Sequence, residues 1–158
     1  MLISAEVDAR LAGLGLAWPV PPQPVAAYVP SVRTGNLLFI SGQLPFVDGK
    51  LTATGKVPVQ VSLEQAQSAA ARAALNALAV LRAELGGDWS RLVRIVRVGV
   101  FVAASPEFTE SAKVANGASE LLATLLGEAG RHARAAVGVA VLPLDAPVEV
   151  EVIAELQP

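Results

Sequence analysis

The chain contains no cysteine and a single histidine, His132. The first absence excludes disulfides, thiolate metal sites and cysteine nucleophiles. The second excludes a histidine-rich metal centre and argues against a Ser–His–Asp triad. Charge is scarce as well, at 16% of 158 residues, against about 25% in an average soluble domain. Aromatics make up 4%, the net charge is −2, and no basic block interleaves with aromatic residues. Such a chain offers nucleic acid no electrostatic footprint. No apolar run reaches the roughly 20 residues of a membrane-spanning helix. The opening stretch MLISAEVDARLAGLG carries acids where a signal peptide has a basic head and an apolar middle, so the protein reads as cytoplasmic.

What is plentiful is small and apolar. Hydrophobic residues make up 53%, the excess being mostly Ala and Val. A surface so short of charge suggests that another copy of the chain covers part of it. The length favours one domain over residues 1–158 with a proper core. Within it, residues 1–25 form an N-terminal helix and a proline-rich extension.

Periodicity sets out the elements. Residues 4–14 predict a short helix, with Ser4 as N-cap and Val7, Leu11 and Leu14 on one side. GLGLAWPVPPQP then makes an extended connector. YVPSVRTGNLLFISGQLP predicts a β-hairpin turning at Thr34, Gly35 and Asn36, and residues 49–61 read mostly as loop. The longest helix is expected over 62–85, opened by a Ser62/Gln65 capping box and stopped by Gly86 and Gly87. A strand is expected over 92–104, where the odd spacing of Arg94 and Arg97 puts them on opposite faces. A helix at 110–126 turns Val114, Ala118, Leu121, Leu122 and Leu125 inward, with Lys113, Asn116, Glu120 and Thr124 on its other side. Strands near 134–142 and 148–156 finish the chain. The order β-β-α-β-α-β-β implies an α+β layer, one mixed sheet with two helices on one face.

The last two strands carry the clearest candidate site. Counting by two from Arg134 gives Ala136, Gly138, Ala140 and Leu142, a nearly bare face beside a guanidinium. The other face reads Ala135, Val137, Val139 and Val141, and this valine face is expected to lie against the helices. In the last strand Val148, Val150, Val152 and Ala154 alternate with Glu149, Glu151, Ile153 and Glu155. Both strands are thus expected to hold their charges away from the helices, where a second copy closes a pocket over Arg134. Glu151 and Glu155 are expected to be solvated or paired with Arg94 or Arg97. Read alone, Tyr28 is a half-buried interface residue, Ser41 and Gly42 a strand end, Asn116 a solvent-facing residue and His132 a surface loop residue. A simple hairpin of the last two strands would leave Arg134 and Glu149 about 20 Å apart. Either these strands are not neighbours or the two residues meet across subunits.

Together, YVPSVRTGNLLFISGQLP, VSLEQAQSAAARAALNALAVL, LVRIVRVGVFVA and HARAAVGVAVLPLDAPVEVEVIAEL resemble the Rid proteins, the YjgF-type reactive intermediate deaminase family also described as L-PSP endoribonuclease or translation inhibitor. The likeness runs from about Tyr28 to Leu156. It implies a chorismate-mutase-like fold and a homotrimer with three interfacial pockets. It also implies hydrolysis of enamines and imines such as 2-aminoacrylate to the 2-keto acid and ammonia. On this resemblance Arg134 is the key arginine and Glu149 the pocket glutamate. Tyr28, Ser41, Gly42 and Asn116 complete substrate binding. A planar guanidinium grips a carboxylate through two hydrogen bonds, which places the neighbouring imine carbon for water, and Glu149 orients or deprotonates that water. Because a free imine is already electrophilic, no metal or other cofactor is expected. The chain departs from its relatives at Ala136, where a cysteine is common, at Ala26 and Ala27, where Gly-Pro is frequent, and in the added residues 1–25. Two rivals stand beside the deaminase. One is a non-catalytic trimer binding a small keto acid. The other is an endoribonuclease, which the missing basic groove and lone histidine disfavour.

Overall fold

Ser62 and Gln65 do what their spacing predicts. The Ser62 hydroxyl accepts from the Gln65 backbone and the Gln65 side chain accepts from the Ser62 backbone. In the computed structural model, which describes residues 2–21 and 27–158, they open helix α2, Leu63–Glu84. The other elements are α1 (Ser4–Gly13), β1 (Ser31–Thr34), β2 (Leu37–Gln43), β3 (Phe46–Val47), β4 (Lys50–Leu51), β5 (Leu92–Ala103), α3 (Ser111–Leu126), β6 (Ala133–Val139) and β7 (Val148–Leu156). The prolines at 22 and 24, and Ala26 at the position where relatives carry Gly-Pro, lie outside the described residues.

The main sheet has five strands in the order β1-β2-β7-β5-β6. Only β5 and β6 run parallel, joined across α3, and the other neighbours are antiparallel. This is the expected mixed α+β layer. The last two strands are not neighbours, because β5 lies between them. The core fills the space between the sheet and α2 and α3. Val98, Val100, Val102, Val148, Val150, Val152, Leu38 and Ile40 meet the alanine stripe of α2 and the leucines of α3 there, all nearly inaccessible to solvent. Helix α1 joins the same core through Val7 and Leu11. Two contacts fix its C-terminal side. Arg10 donates to the Leu125 carbonyl at the end of α3, 3.0 Å away, and Trp18 stacks on buried Trp89 with ring centroids 5.4 Å apart.

Four expectations need correction. Ser4 is the first residue of α1 rather than its cap, and its hydroxyl accepts from the Trp89 N–H instead. Residues 46–51 form a small hairpin, β3–β4, turning through Asp48 and Gly49 at positive φ. The Asp-Gly pair suits that turn, but two-residue strands are too short for a period to show. Arg94 and Arg97 share one face, because β5 shifts register between Ile95 and Arg97. The extra residue resets the alternation, so both arginines reach the carboxylates of the open face, Arg94 to Glu155 at 3.5 Å and Arg97 to Glu151 at 2.7 Å.

The fourth correction concerns the site. Arg134 pairs with Val98 and Ala136 with Val100, and those valines face the helices. Arg134, Ala136 and Gly138 therefore face α3, while Ala135, Val137 and Val139 lie on the open side. The pairing with β5 sets the inversion. A Cβ on Gly138 would stand in ordinary contact with Ala104 and Ser111, so this face looks toward the start of α3. The valines satisfy β-propensity but are left outward, with Val137 47% exposed. The bare face beside Arg134 turns toward α3, with Ala136 partly buried and Arg134 and Gly138 still exposed.

Candidate active site

Ala112, Asn116 and Ser119 stand four and three residues apart, so α3 presents them as one stripe. That stripe receives the Arg134 side chain. Nη1 donates to Asn116 Oδ1 and to Ser119 Oγ, both at 3.0 Å, and Nη2 donates to the Ala112 carbonyl at 3.2 Å. A guanidinium has five N–H donors. Three are used here and two remain, the number a carboxylate takes up in a forked pair. Among the described residues no carboxylate lies within salt-bridge distance of Arg134. The sequence reading brought Asn116 to this group but left it facing solvent; the structure turns it onto the arginine.

Ser119 and His132 extend the cluster, and sequence reasoning missed both. His132 is not a free surface residue. Its Nε2 lies 2.9 Å from Ser119 Oγ and its Nδ1 lies 2.6 Å from the Gly130 carbonyl oxygen. An open pocket of about 430 Å³ adjoins them, lined by Ser119, Ala123, Gly130, Arg131, His132 and Arg134. The signal for Ser119 was its spacing of three from Asn116. The signal for His132 was its closeness to Arg134, which means little until α3 is known to lie over β6.

A second group forms elsewhere on the sheet. Glu149 pairs with Phe101 on the open face. Its carboxylate crosses above Gly42, where any Cβ would collide with it. Gly42 is thus a space for an acid. Burial, and then the like charge of Glu151, push the Glu149 carboxyl above its ordinary value. Ser41 donates through Oγ to the Val29 carbonyl at 2.7 Å, which fastens the backbone next to Tyr28 to the end of β2. Tyr28 itself is half exposed.

The structure thus joins Arg134 with Asn116, and Glu149 with Gly42, but does not bring the two groups together within the chain. They occupy opposite faces of the sheet. Glu149 is level with Val137 across two strand spacings, so its Cα lies roughly 14 Å from that of Arg134. Ala136 faces α3 beside Arg134, partly buried against the core. Among the described residues no three His, Asp or Glu side chains gather as metal ligands, and no helix is long and apolar enough to cross a membrane. In chemical terms the two groups are an oriented cation with donors to spare and a partly desolvated carboxyl of raised proton affinity.

Comparison with known proteins gives these groups a context. Residues 8–156 match the family model described as "YjgF/chorismate_mutase-like, putative endoribonuclease". The chain is 43% identical over 157 residues to Protein TCP17 of Trypanosoma cruzi, covering 99% of this chain and 98% of that one. It is 27% identical over 142 residues to the 2-iminobutanoate/2-iminopropanoate deaminase of Dermatophagoides farinae, covering 90% and 95%. The fold superposes with a TM-score of 0.92 on the crystal structure of Atu1372 from Agrobacterium tumefaciens, at 49% identity and covering 98% and 94% of the two chains.

Proposed function

This chain belongs to the YjgF/chorismate mutase-like family, and from that premise we propose that it hydrolyses small carboxylate-bearing enamines and imines, of the 2-aminoacrylate type, to a 2-keto acid and ammonia. The observation that carries the reading is Arg134. Its guanidinium is fixed by Asn116, Ser119 and the Ala112 carbonyl and keeps two donors free. A carboxylate held by those donors leaves the adjacent C=N carbon in a fixed position. The enamine first tautomerises to the imine. Water then adds to the carbon, its oxygen forming the new C–O bond while the C=N π pair moves to nitrogen. The proton released from that water passes to a base and on to the nitrogen. The C–N bond of the carbinolamine then breaks with its electron pair going to nitrogen, the hydroxyl oxygen forms the C=O bond and its proton passes to the nitrogen, leaving the keto acid and ammonia. No electron acceptor is needed.

Glu149 is the base in this reading. Its raised proton affinity makes it a better proton acceptor than an ordinary carboxylate. Because Arg134 and Glu149 are far apart within one chain, the site is completed between copies, in a homotrimer where the edge strand β6 of one copy, with Arg134, meets the open sheet face of the next, with Glu149. The exposed Val32, Phe39 and Val137 on that face support this arrangement. Tyr28, Ser41 and Gly42 then border the substrate from Glu149's side.

The test is ammonia release from freshly generated 2-aminoacrylate. The purified protein is expected to accelerate it, and Arg134→Ala to abolish the acceleration. Lack of acceleration with any amino-acid-derived imine overturns the proposal. The separation of Glu149 from Arg134 within the chain favours one alternative, a keto acid binder without turnover. Saturable pyruvate binding that is lost in Arg134→Ala, with no ammonia release, would mark it.

A further inference from the structure

Gly130 stands where the chain passes hard against the end of α3. A Cβ there would run into the Leu122 carbonyl and the Ala123 nitrogen. The Gly130 carbonyl oxygen lies 2.6 Å from His132 Nδ1. A carbonyl only accepts, so Nδ1 carries the hydrogen. In a neutral imidazole Nε2 is then the acceptor. Its partner at 2.9 Å is Ser119 Oγ, which must donate its only hydrogen there. That leaves the serine lone pairs for Arg134 Nη1, 3.0 Å away.

We propose that Ser119 and His132 are positioning residues for Arg134, linked in one directed chain from the Gly130 carbonyl through the imidazole and the serine hydroxyl to the guanidinium. Every hydrogen in the chain has one place to go. The hydroxyl cannot turn its hydrogen toward the cation, so Ser119 always presents a lone pair to Nη1. Asn116 and Ala112 supply the other two acceptors. Three fixed acceptors lock the guanidinium plane and determine which two donors are left for a ligand. The inference rests on the role given to Arg134 above, but the chain of hydrogen bonds is testable without any ligand.

The single histidine makes the experiment direct. In nitrogen-15 NMR spectra of the full chain at pH 8, the ring nitrogens of His132 are expected to show the Nδ1–H tautomer. The Arg134 Nη hydrogens are expected to resolve as separate, slowly exchanging signals. Ser119→Ala should collapse those signals into the average of a freely rotating guanidinium, and Ser119→Thr, which keeps the hydroxyl, should restore them. His132→Gln, which can place an amide oxygen near the Nε2 position, should retain them better than His132→Ala. An Nε2–H tautomer, or Arg134 signals unchanged in Ser119→Ala, overturns the proposal. With pyruvate as probe, Ser119→Ala is expected to bind about tenfold more weakly and Ser119→Thr nearly as well as the parent. Equal affinity in Ser119→Ala also overturns it. Failure of the parent chain to bind pyruvate counts against the deaminase and keto acid readings instead, and the NMR result still decides the positioning role.

Discussion

Glu149 combines a stability cost with a chemical use. Burial and the nearby Glu151 raise its carboxyl above the ordinary value of 4.5, so the folded chain holds that proton more tightly than the unfolded chain does. The group's stabilising effect is fully present at low pH and declines as pH rises from the ordinary value through the raised one. Glu149→Gln cannot ionise and escapes that decline. Its melting temperature is expected to exceed the parent's at pH 7, with the difference closing as pH falls past 4.5, which calorimetry across that range checks. Activity should move the other way. A base must be ionised, so kcat/KM for imine hydrolysis is expected to rise with pH along a limb displaced above the usual carboxylate range. Glu149→Gln should lose about 10²–10⁴-fold with that limb gone. A parent profile whose limb sits in the ordinary carboxylate range would remove Glu149 from the role. Gly42 belongs to the same argument, since its missing side chain is the space in which the acid sits.

Among the elements, α3 carries most of the contacts to Arg134, and Gly117 sets its position. A Cβ at Gly117 would collide with the backbone carbonyl of Gln67 on α2, so the two helices cross in near contact there. Glycine in a helix interior usually costs about 1 kcal/mol relative to alanine. Here the sign reverses, because added bulk must push α3 away from α2. Gly117→Ala is expected to lose roughly 1–3 kcal/mol of stability in chemical denaturation. It should also weaken pyruvate binding, because Asn116 and Ser119 flank the displaced position. An alanine variant as stable as the parent would show that the helices can separate without strain. The same helix explains which parts of the site were legible. Both long helices and the succession of strands and helices along the chain could be read from apolar spacing, whereas the order of strands in the sheet could not, and the capping box fixed the start of α2 to within a residue. The facing of β6 could not. An alternation of valine with small residues looks like core against bareness, but which side turns toward α3 is set by the pairing with β5, and no local pattern encodes that register. The bulge in β5 hid the shared face of Arg94 and Arg97 for a similar reason, since parity counting assumes an unbroken ladder. Arg134 stood out as a candidate from the strand pattern and Asn116, Gly42 and Glu149 as candidates through the family resemblance, whereas the contacts of Ser119 and His132 needed the helix laid over the strand.

For the whole molecule the open sheet face is the deciding feature. It carries Val32, Phe39 and Val137 exposed, while Glu151 lies across Gly99 to reach Arg97. An edge strand that turns a valine outward, next to carboxylates already matched by arginines, is better suited to another protein surface than to water. If the edge strand β6 of one copy meets the open face of the next, Arg134 of one and Glu149 of the other can share a pocket, and the two residues need never be joined in a single polypeptide. Mixing separates this arrangement from a site built within one chain. Arg134→Ala and Glu149→Gln are each expected to be inactive alone. Unfolded together in equal amounts and refolded, they should recover activity at about a quarter of sites, because a working site needs its arginine from one variant and its glutamate from the other, each drawn half the time. Light scattering should report the same oligomer for the mixture and the parent. Recovery of no activity from a correctly assembled mixture would place both groups of a working site in one chain, which the roughly 14 Å of sheet between them and their opposite faces argue against.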